Sequence, residues 1–124
     1  PEVIAGSTRL KAATATKLVL NMLTTISMVK LGKTYGNLMV DIKAGSEKAR
    51  DRARRIVTMA TGLNHEEAGA LLRRARWNVK VAIVMQKTET TYSAAASQLK
   101  KFGDSVRAAV GEDFHRNFEI RKGQ

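Results

Sequence analysis

Three features of the sequence predict an all-α fold. Apolar residues recur at helical spacing along most of the chain. Capping residues stand ahead of those stretches and glycines close them, while β-branched runs, aromatics and proline are scarce. The 124 residues are 44% hydrophobic and 27% charged, with 5% aromatics, 1 Pro and 0 Cys. That is apolar material enough for a core, and length enough for one domain or a small domain plus a piece of another. The missing cysteine excludes a disulfide scaffold, a thiolate zinc site and a Cys nucleophile together, and fits a reducing cytoplasm. Pro1 rather than Met at the first position reads as an internal start or a trimmed piece.

The chain opens with a short extended apolar piece, residues 1–7, ending at the Gly6-Ser7 turn. Ser7 or Thr8 is expected to cap a helix of about 8–31 by accepting from the unpaired N–H groups of its first turn. Gly32 closes it as a left-handed terminal residue. Leu18, Val19, Leu20, Met22, Leu23, Ile26, Met28 and Val29 occupy more than one face of this helix, and a helix apolar on most sides is normally buried on most sides. Nothing else in the chain is large enough to bury it. It is therefore expected to pack against protein absent from this chain or against a second copy. A membrane span needs about 20 apolar residues; the best run, residues 18–31, is shorter and holds Asn21, Thr24, Thr25, Ser27 and Lys30. No signal peptide is visible.

Residues 33–45 read as a connector punctuated by Gly36, Asn37 and Gly45, with an apolar patch at Leu38, Met39 and Val40. Three short helices follow. The first is capped by Ser46 and ends at Gly62, with Ala49, Ala53, Ile56, Val57 and Ala60 on one face. Asn64 and Glu67 form a capping box for the second, which carries Ala68, Leu71, Leu72 and Ala75. Asn78 caps the third, with Val79, Val81, Ala82, Ile83 and Met85. A further helix spans about 93–102 and stops at Gly103. Asp104 then caps a short turn with Val106, Ala109 and Val110, and 112–124 form a tail without periodicity.

Lys and Arg number 22 against 11 Asp and Glu, a net charge of +11. This raises nucleic acid as a partner. Lys48, Arg52 and Arg55 flank one side of the apolar stripe of the Ser46-capped helix, and Arg50 and Arg54 the other. Long basic side chains in such positions cover the stripe's edges with their stems, and no aromatics interleave with them as a stacking platform requires. The solvated-flank reading is preferred and nucleic acid is not expected. His65 and His115 are isolated, so no metal site or cofactor is expected. Glu66 and Glu67 suit a helix start, and the methionines (22, 28, 39, 59 and 85) read as core filling.

The segment Gly6-Ser7-Thr8-Arg9-Leu10-Lys11 stands apart. Hydroxyls and free N–H groups at a helix start, with Arg9 and Lys11 as fixed positive charges, make the chemistry of a phosphate-monoester site. A capped helix with two basic residues also serves purely structurally, capping and bridging domains. Glu2 could be a pocket carboxylate, with a surface role preferred.

PEVIAGSTRLKAATATKLVLNML, followed by MVKLGKTYGNLMVDIKA, resembles the C-terminal third of the bacterial N-acetylmuramic acid 6-phosphate etherases, sugar-isomerase (SIS) domain proteins related to the glucokinase regulatory protein. The likeness runs from about residue 1 to 111, most specifically over 1–42; residues 46–88 also look like a UBA-type three-helix module. The resemblance implies a long apolar helix from the end of a SIS α/β domain (1–36), a connector (37–45), a small UBA-like helical module with a further short helix (46–111) and a tail (112–124). It implies a cytoplasmic homodimeric lyase of cell-wall amino-sugar recycling. Such a lyase cleaves the D-lactyl ether of N-acetylmuramic acid 6-phosphate to N-acetylglucosamine 6-phosphate and D-lactate. Glutamates act as acid and base without metal, in an upstream part not contained here. By resemblance, Ser7, Thr8, Arg9 and Lys11 lie at the sugar-phosphate pocket. Two positions depart from the family's pattern: Ala13 stands where a Gly is usual, and Trp77 where a small residue is more common. The alternatives are a non-catalytic phosphosugar-sensing or dimerisation fragment and, behind it, a basic nucleic-acid-binding module.

Overall fold

The computed structural model describes residues 2–112; the part of the expected tail beyond Glu112, His115 included, lies outside them. The chain divides into two units, Pro1–Leu31 and Gly32–Gln124. Secondary structure is almost wholly helical, as the sequence predicts: six helices and one two-stranded hairpin among the described residues.

The first unit is one helix, α1, Arg9–Lys30, with the short segment before it. None of its residues is buried, and Leu18 through Val29 leave about half of each large apolar side chain in solvent. Four of its five hydroxyl groups, all but Thr25, are already satisfied by its own backbone. Thr14, Thr16, Thr24 and Ser27 donate to the carbonyls of Leu10, Ala12, Leu20 and Leu23, four residues back, at 2.7–3.2 Å. Back-bonding of this kind hides polar groups inside the helix outline, so enclosing α1 would leave those four hydroxyls bonded. By length and composition it is the one described helix able to cross a membrane.

The second unit begins at Gly32, held at φ 64°, where a Cβ would meet the Asp104 carbonyl and the Ser105 Cα at 3.2 Å. Glycine is required there on both counts. The stretch read as a connector holds a hairpin: β1 (Thr34–Tyr35) and β2 (Leu38–Met39), antiparallel with Thr34 opposite Met39. The Gly36-Asn37 turn joins the strands, with Gly36 at φ 58°. Then come α2 (Glu47–Thr61), α3 (His65–Arg74), α4 (Val79–Thr88), α5 (Tyr92–Lys101) and α6 (Val106–Ala109). The α4 helix is the hub, packing on α2, α3, α5 and α6. All of Val79–Met85 is buried, and with Ile56, Val57, Leu71, Leu72, Leu99 and Val106 it forms one core.

Caps set the helix boundaries. Ser46, Asn64 and Asn78 accept from the N–H three residues on, as expected, and Glu67 completes the capping box with Asn64 at 2.9 and 3.0 Å. One cap is corrected: Ser105, not Asp104, caps α6, and α5, expected from about 93, starts at Tyr92 with Thr91 as its cap. Asp104 instead accepts from Lys80, whose ammonium is almost fully buried in α4 and also donates to the Asp104 carbonyl at 3.1 Å. Asp41 lies 4.0 Å from the same ammonium and 2.9 Å from Lys33. The Lys33 hydrogen bond, aided by the Lys80 charge and opposed by partial burial, holds the Asp41 carboxyl below its usual 3.8. Met85 alone among the five methionines is in the core, while Met22, Met28 and Met59 face solvent.

The basic flanks are organised by aromatic rings. Arg50 and Arg54 lie over Trp77 at 4.9 and 5.4 Å, and Arg76 over Tyr92 at 4.7 Å. Trp77 thus packs over the helical unit. Glu112, assigned to the tail, is engaged: the Tyr35 hydroxyl donates to it at 2.7 Å and Lys87 at 3.5 Å.

Candidate functional site

The residues with the chemistry of an anion site lie together at the start of α1. Segment 2–8 doubles back on the helix through a turn in which Ser7 N–H donates to the Ile4 carbonyl at 3.2 Å and Gly6 takes φ 80°. Gly6 can hold that angle without the penalty a Cβ brings. Thr8 sits at the N-cap position, but its side chain makes no capping bond. The reason is its backbone. A capping residue needs an extended conformation to aim its oxygen at the first turn, and Ser46, Asn64, Asn78, Thr91 and Ser105 all have one. Thr8 is already helical, at φ −95° and ψ −5°.

The first turn is served from further away. The Lys11 backbone N–H donates to the Glu2 carboxylate at 3.0 Å, across nine residues. In place of the cap expected from Ser7 or Thr8, a carboxylate serves the helix start, where the positive end of the helix dipole also favours it. Glu2, Val3, Leu10, Lys11, Thr14 and Leu18 border an open cavity of about 380 Å³ with mostly apolar walls.

The four expected site residues are neighbours in sequence, Ser7 and Thr8 just before α1 and Arg9 and Lys11 in its first turn, near the surface. The side chains of Ser7, Thr8, Arg9 and Lys11 form no hydrogen bond or ion pair with another described residue. Such an array offers two hydroxyls, two cations and the helix start. It can hold an anionic oxygen group, with the Glu2 carboxylate already lodged on one of the donors. The sequence offers Glu2 as a pocket carboxylate or, preferably, a surface residue; its bond to the Lys11 N–H depends on the turn at Gly6. Ala13 lies exposed further along α1.

Elsewhere, His65 stands 3.9 Å from an Asp51 carboxylate oxygen. No group of three or more His, Cys, Asp or Glu suited to a metal occurs among the described residues.

No protein-family profile matches the chain. Curated proteins do. It is 60% identical over 112 residues to the N-acetylmuramic acid 6-phosphate etherase of Rubrobacter xylanophilus, a match that takes in 90% of this chain and 36% of that protein. It is 52% identical over 110 residues to the etherase of the same name from Alkaliphilus metalliredigens, and 51% identical over 110 residues to that of Geobacillus thermodenitrificans. Each match covers 89% of this chain and 36–37% of the relative. Identity at this level over nearly the whole chain makes it homologous to a portion of those etherases. The chain spans little more than a third of their length.

Proposed function

We propose that this chain is the carboxy-terminal part of a cytoplasmic lyase that cleaves the D-lactyl ether of N-acetylmuramic acid 6-phosphate, giving N-acetylglucosamine 6-phosphate and D-lactate. The observation that carries the reading is the 60% identity over 112 residues to a protein bearing that etherase name. Within the lyase, Ser7, Thr8, Arg9 and Lys11 contribute to the sugar-phosphate pocket. Arg9 and Lys11 supply fixed charge, and the hydroxyls and first-turn N–H groups supply directional donors.

The chemistry asks for a base to take the proton alpha to the aldehyde of the opened sugar and an acid to protonate the departing lactyl oxygen; water then adds across the resulting carbon-carbon double bond, its oxygen to the carbon that lost lactate and its proton to the alpha carbon, to give N-acetylglucosamine 6-phosphate. Carboxyls of raised pKa serve both roles. These groups belong to the upstream part of the parent protein, in a SIS α/β domain. The chain's own share is binding and packing: the start of α1 holds phosphate, and the apolar faces of α1 join that domain and the second subunit of a homodimer. The back-bonded hydroxyls of α1 support enclosure by protein. Residues 46–111 form the UBA-like helical module.

In the full-length parent, Lys11→Ala is expected to raise KM for the sugar phosphate about tenfold or more, the loss of one charge-assisted contact, with D-lactate release as the readout. Unchanged kinetics would remove Lys11 from the pocket. The 124-residue chain alone should release no D-lactate, and measurable turnover would overturn the upstream placement of the acid and base.

A further inference from the structure

Residues 40–44, between β2 and α2, alternate in burial. Val40, Ile42 and Ala44 pack into the core cluster, while Asp41 and Lys43 are exposed. Period-two burial marks an extended chain laid on a core. Its pairing stops after one bond, from Val40 N–H to the Lys33 carbonyl at 3.0 Å. Beyond that bond, the backbone groups of 41–44 make no hydrogen bond to any described residue. The backbone groups of 41–44 are thus unpaired among the described residues, and those on the side away from β1 are open to an added strand.

A cleft of about 360 Å³ runs between this edge and residues 76–78. The far wall is the tight turn from α3 to α4, where Arg76 and Trp77 stand in succession at φ 53° and 61°. Side chains disfavour that backbone region, and such outliers concentrate at functional positions. The walls carry more positive than negative charge: Lys43 and Arg76, neither in an ion pair with a described residue, against the Asp41 carboxylate, which is bound to Lys33 and also feels the Lys43 charge. Arg50 and Arg54 add charge over Trp77.

We infer that residues 40–44 accept an extended acidic segment of a partner protein as an added strand, its carboxylates meeting Lys43 and Arg76. The free edge supplies main-chain affinity and the basic walls supply charge selection. A nucleic acid fits less well. The rings it would stack on, Trp77 and Tyr92, are covered by the protein's own arginines, and a main-chain edge matches no feature of a nucleotide strand. This inference does not depend on the etherase reading.

Trp77 is the single tryptophan in the sequence, so its emission reports on the cleft in the intact chain. The probe is a capped octapeptide of alternating Thr and Glu. Its addition should shift Trp77 emission saturably and slow amide hydrogen exchange at 41–44, and the Thr/Lys counterpart should do neither. The double variant Lys43→Gln, Arg76→Gln should weaken binding about tenfold or more. Lys100→Gln, Lys101→Gln, which removes the same charge elsewhere, should change it less than about twofold. Equal losses in both variants, or unchanged exchange at 41–44, would overturn the strand-addition site. So would single-stranded oligothymidylate displacing the peptide from Trp77 at lower concentration.

Discussion

The two units solve the burial problem in opposite ways. Between Gly32 and Glu112 short helices share one core, and α4 gives up nearly every face to it, a lysine included. In α1, an apolar helix more than twice as long as α4 buries nothing. Hydrophobic composition alone therefore does not distinguish a helix that is buried from one that is left exposed. Burying a Leu or Val side chain contributes about 1.5–3 kcal/mol, so the exposed apolar side chains of α1 represent a large unrealised stabilisation.

The sharpest way to break this contrast is to cut equivalent leucines from the two regions. Leu72 is fully buried and Leu23 is 59% exposed. Leu72→Ala should destabilise the chain by about 2–5 kcal/mol, read as a drop in the thermal midpoint. Leu23→Glu should leave that midpoint nearly in place. Its effect should fall instead on association: the unsubstituted 124-residue chain should scatter light as more than a monomer at micromolar concentration, and Leu23→Glu should lower that mass. A monodisperse monomer without the substitution would count against the proposal that α1 packs on other protein.

Caps sharpen the comparison at smaller scale. Asn64 makes a reciprocal capping box with Glu67, whereas Thr8 occupies a cap position without capping. Asn64→Ala should therefore cost about 1 kcal/mol. Thr8→Ala should stay within about 0.5 kcal/mol, as for an exposed residue that makes no bond. Equal losses would mean that Thr8 caps in solution and that the Glu2 contact to Lys11 is not the dominant first-turn bond.

Helices and most caps were legible because they depend on neighbours in sequence. Ser46, Asn64 and Asn78 lie three residues from the N–H groups they serve, and Gly32 and Gly62 take the left-handed angles expected where a helix ends. What escaped sequence reasoning is long-range or depends on a turn. Asp104 has the residue type of a cap, yet Lys80, twenty-four positions away, claims its carboxylate, and Ser105 takes over the cap. The Gly36-Asn37 signal was present for a hairpin, but strands of two residues leave no alternation to read. The candidate site was legible as a cluster of residue types; the carboxylate that serves its helix turn was not, since Glu2 reaches Lys11 only through the fold-back at Gly6.

The smallest expected effects come from pH, and they test how the hairpin is fastened to its unit. Burial, and then the hydrogen bond to Glu112, raise the Tyr35 hydroxyl above its ordinary 10.0, and the neighbouring Tyr35 hydroxyl is the main cause raising Lys87 above 10.5. A group whose pKa is raised on folding contributes stability in full below its unfolded pKa and loses it as pH climbs through the folded one. The Tyr35, Lys87 and Glu112 cluster should therefore weaken only above about pH 10. Asp41 runs the other way: depressed chiefly by Lys33, it stabilises above 3.8 and loses that contribution as pH falls further. Thermal midpoints followed against pH should show an alkaline limb that flattens in Tyr35→Phe and an acid limb that flattens in Asp41→Asn. These side chains are substantially exposed, so both limbs should be shallow. An alkaline limb unchanged in Tyr35→Phe would mean that the contact between β1 and Glu112 does not hold the hairpin in solution.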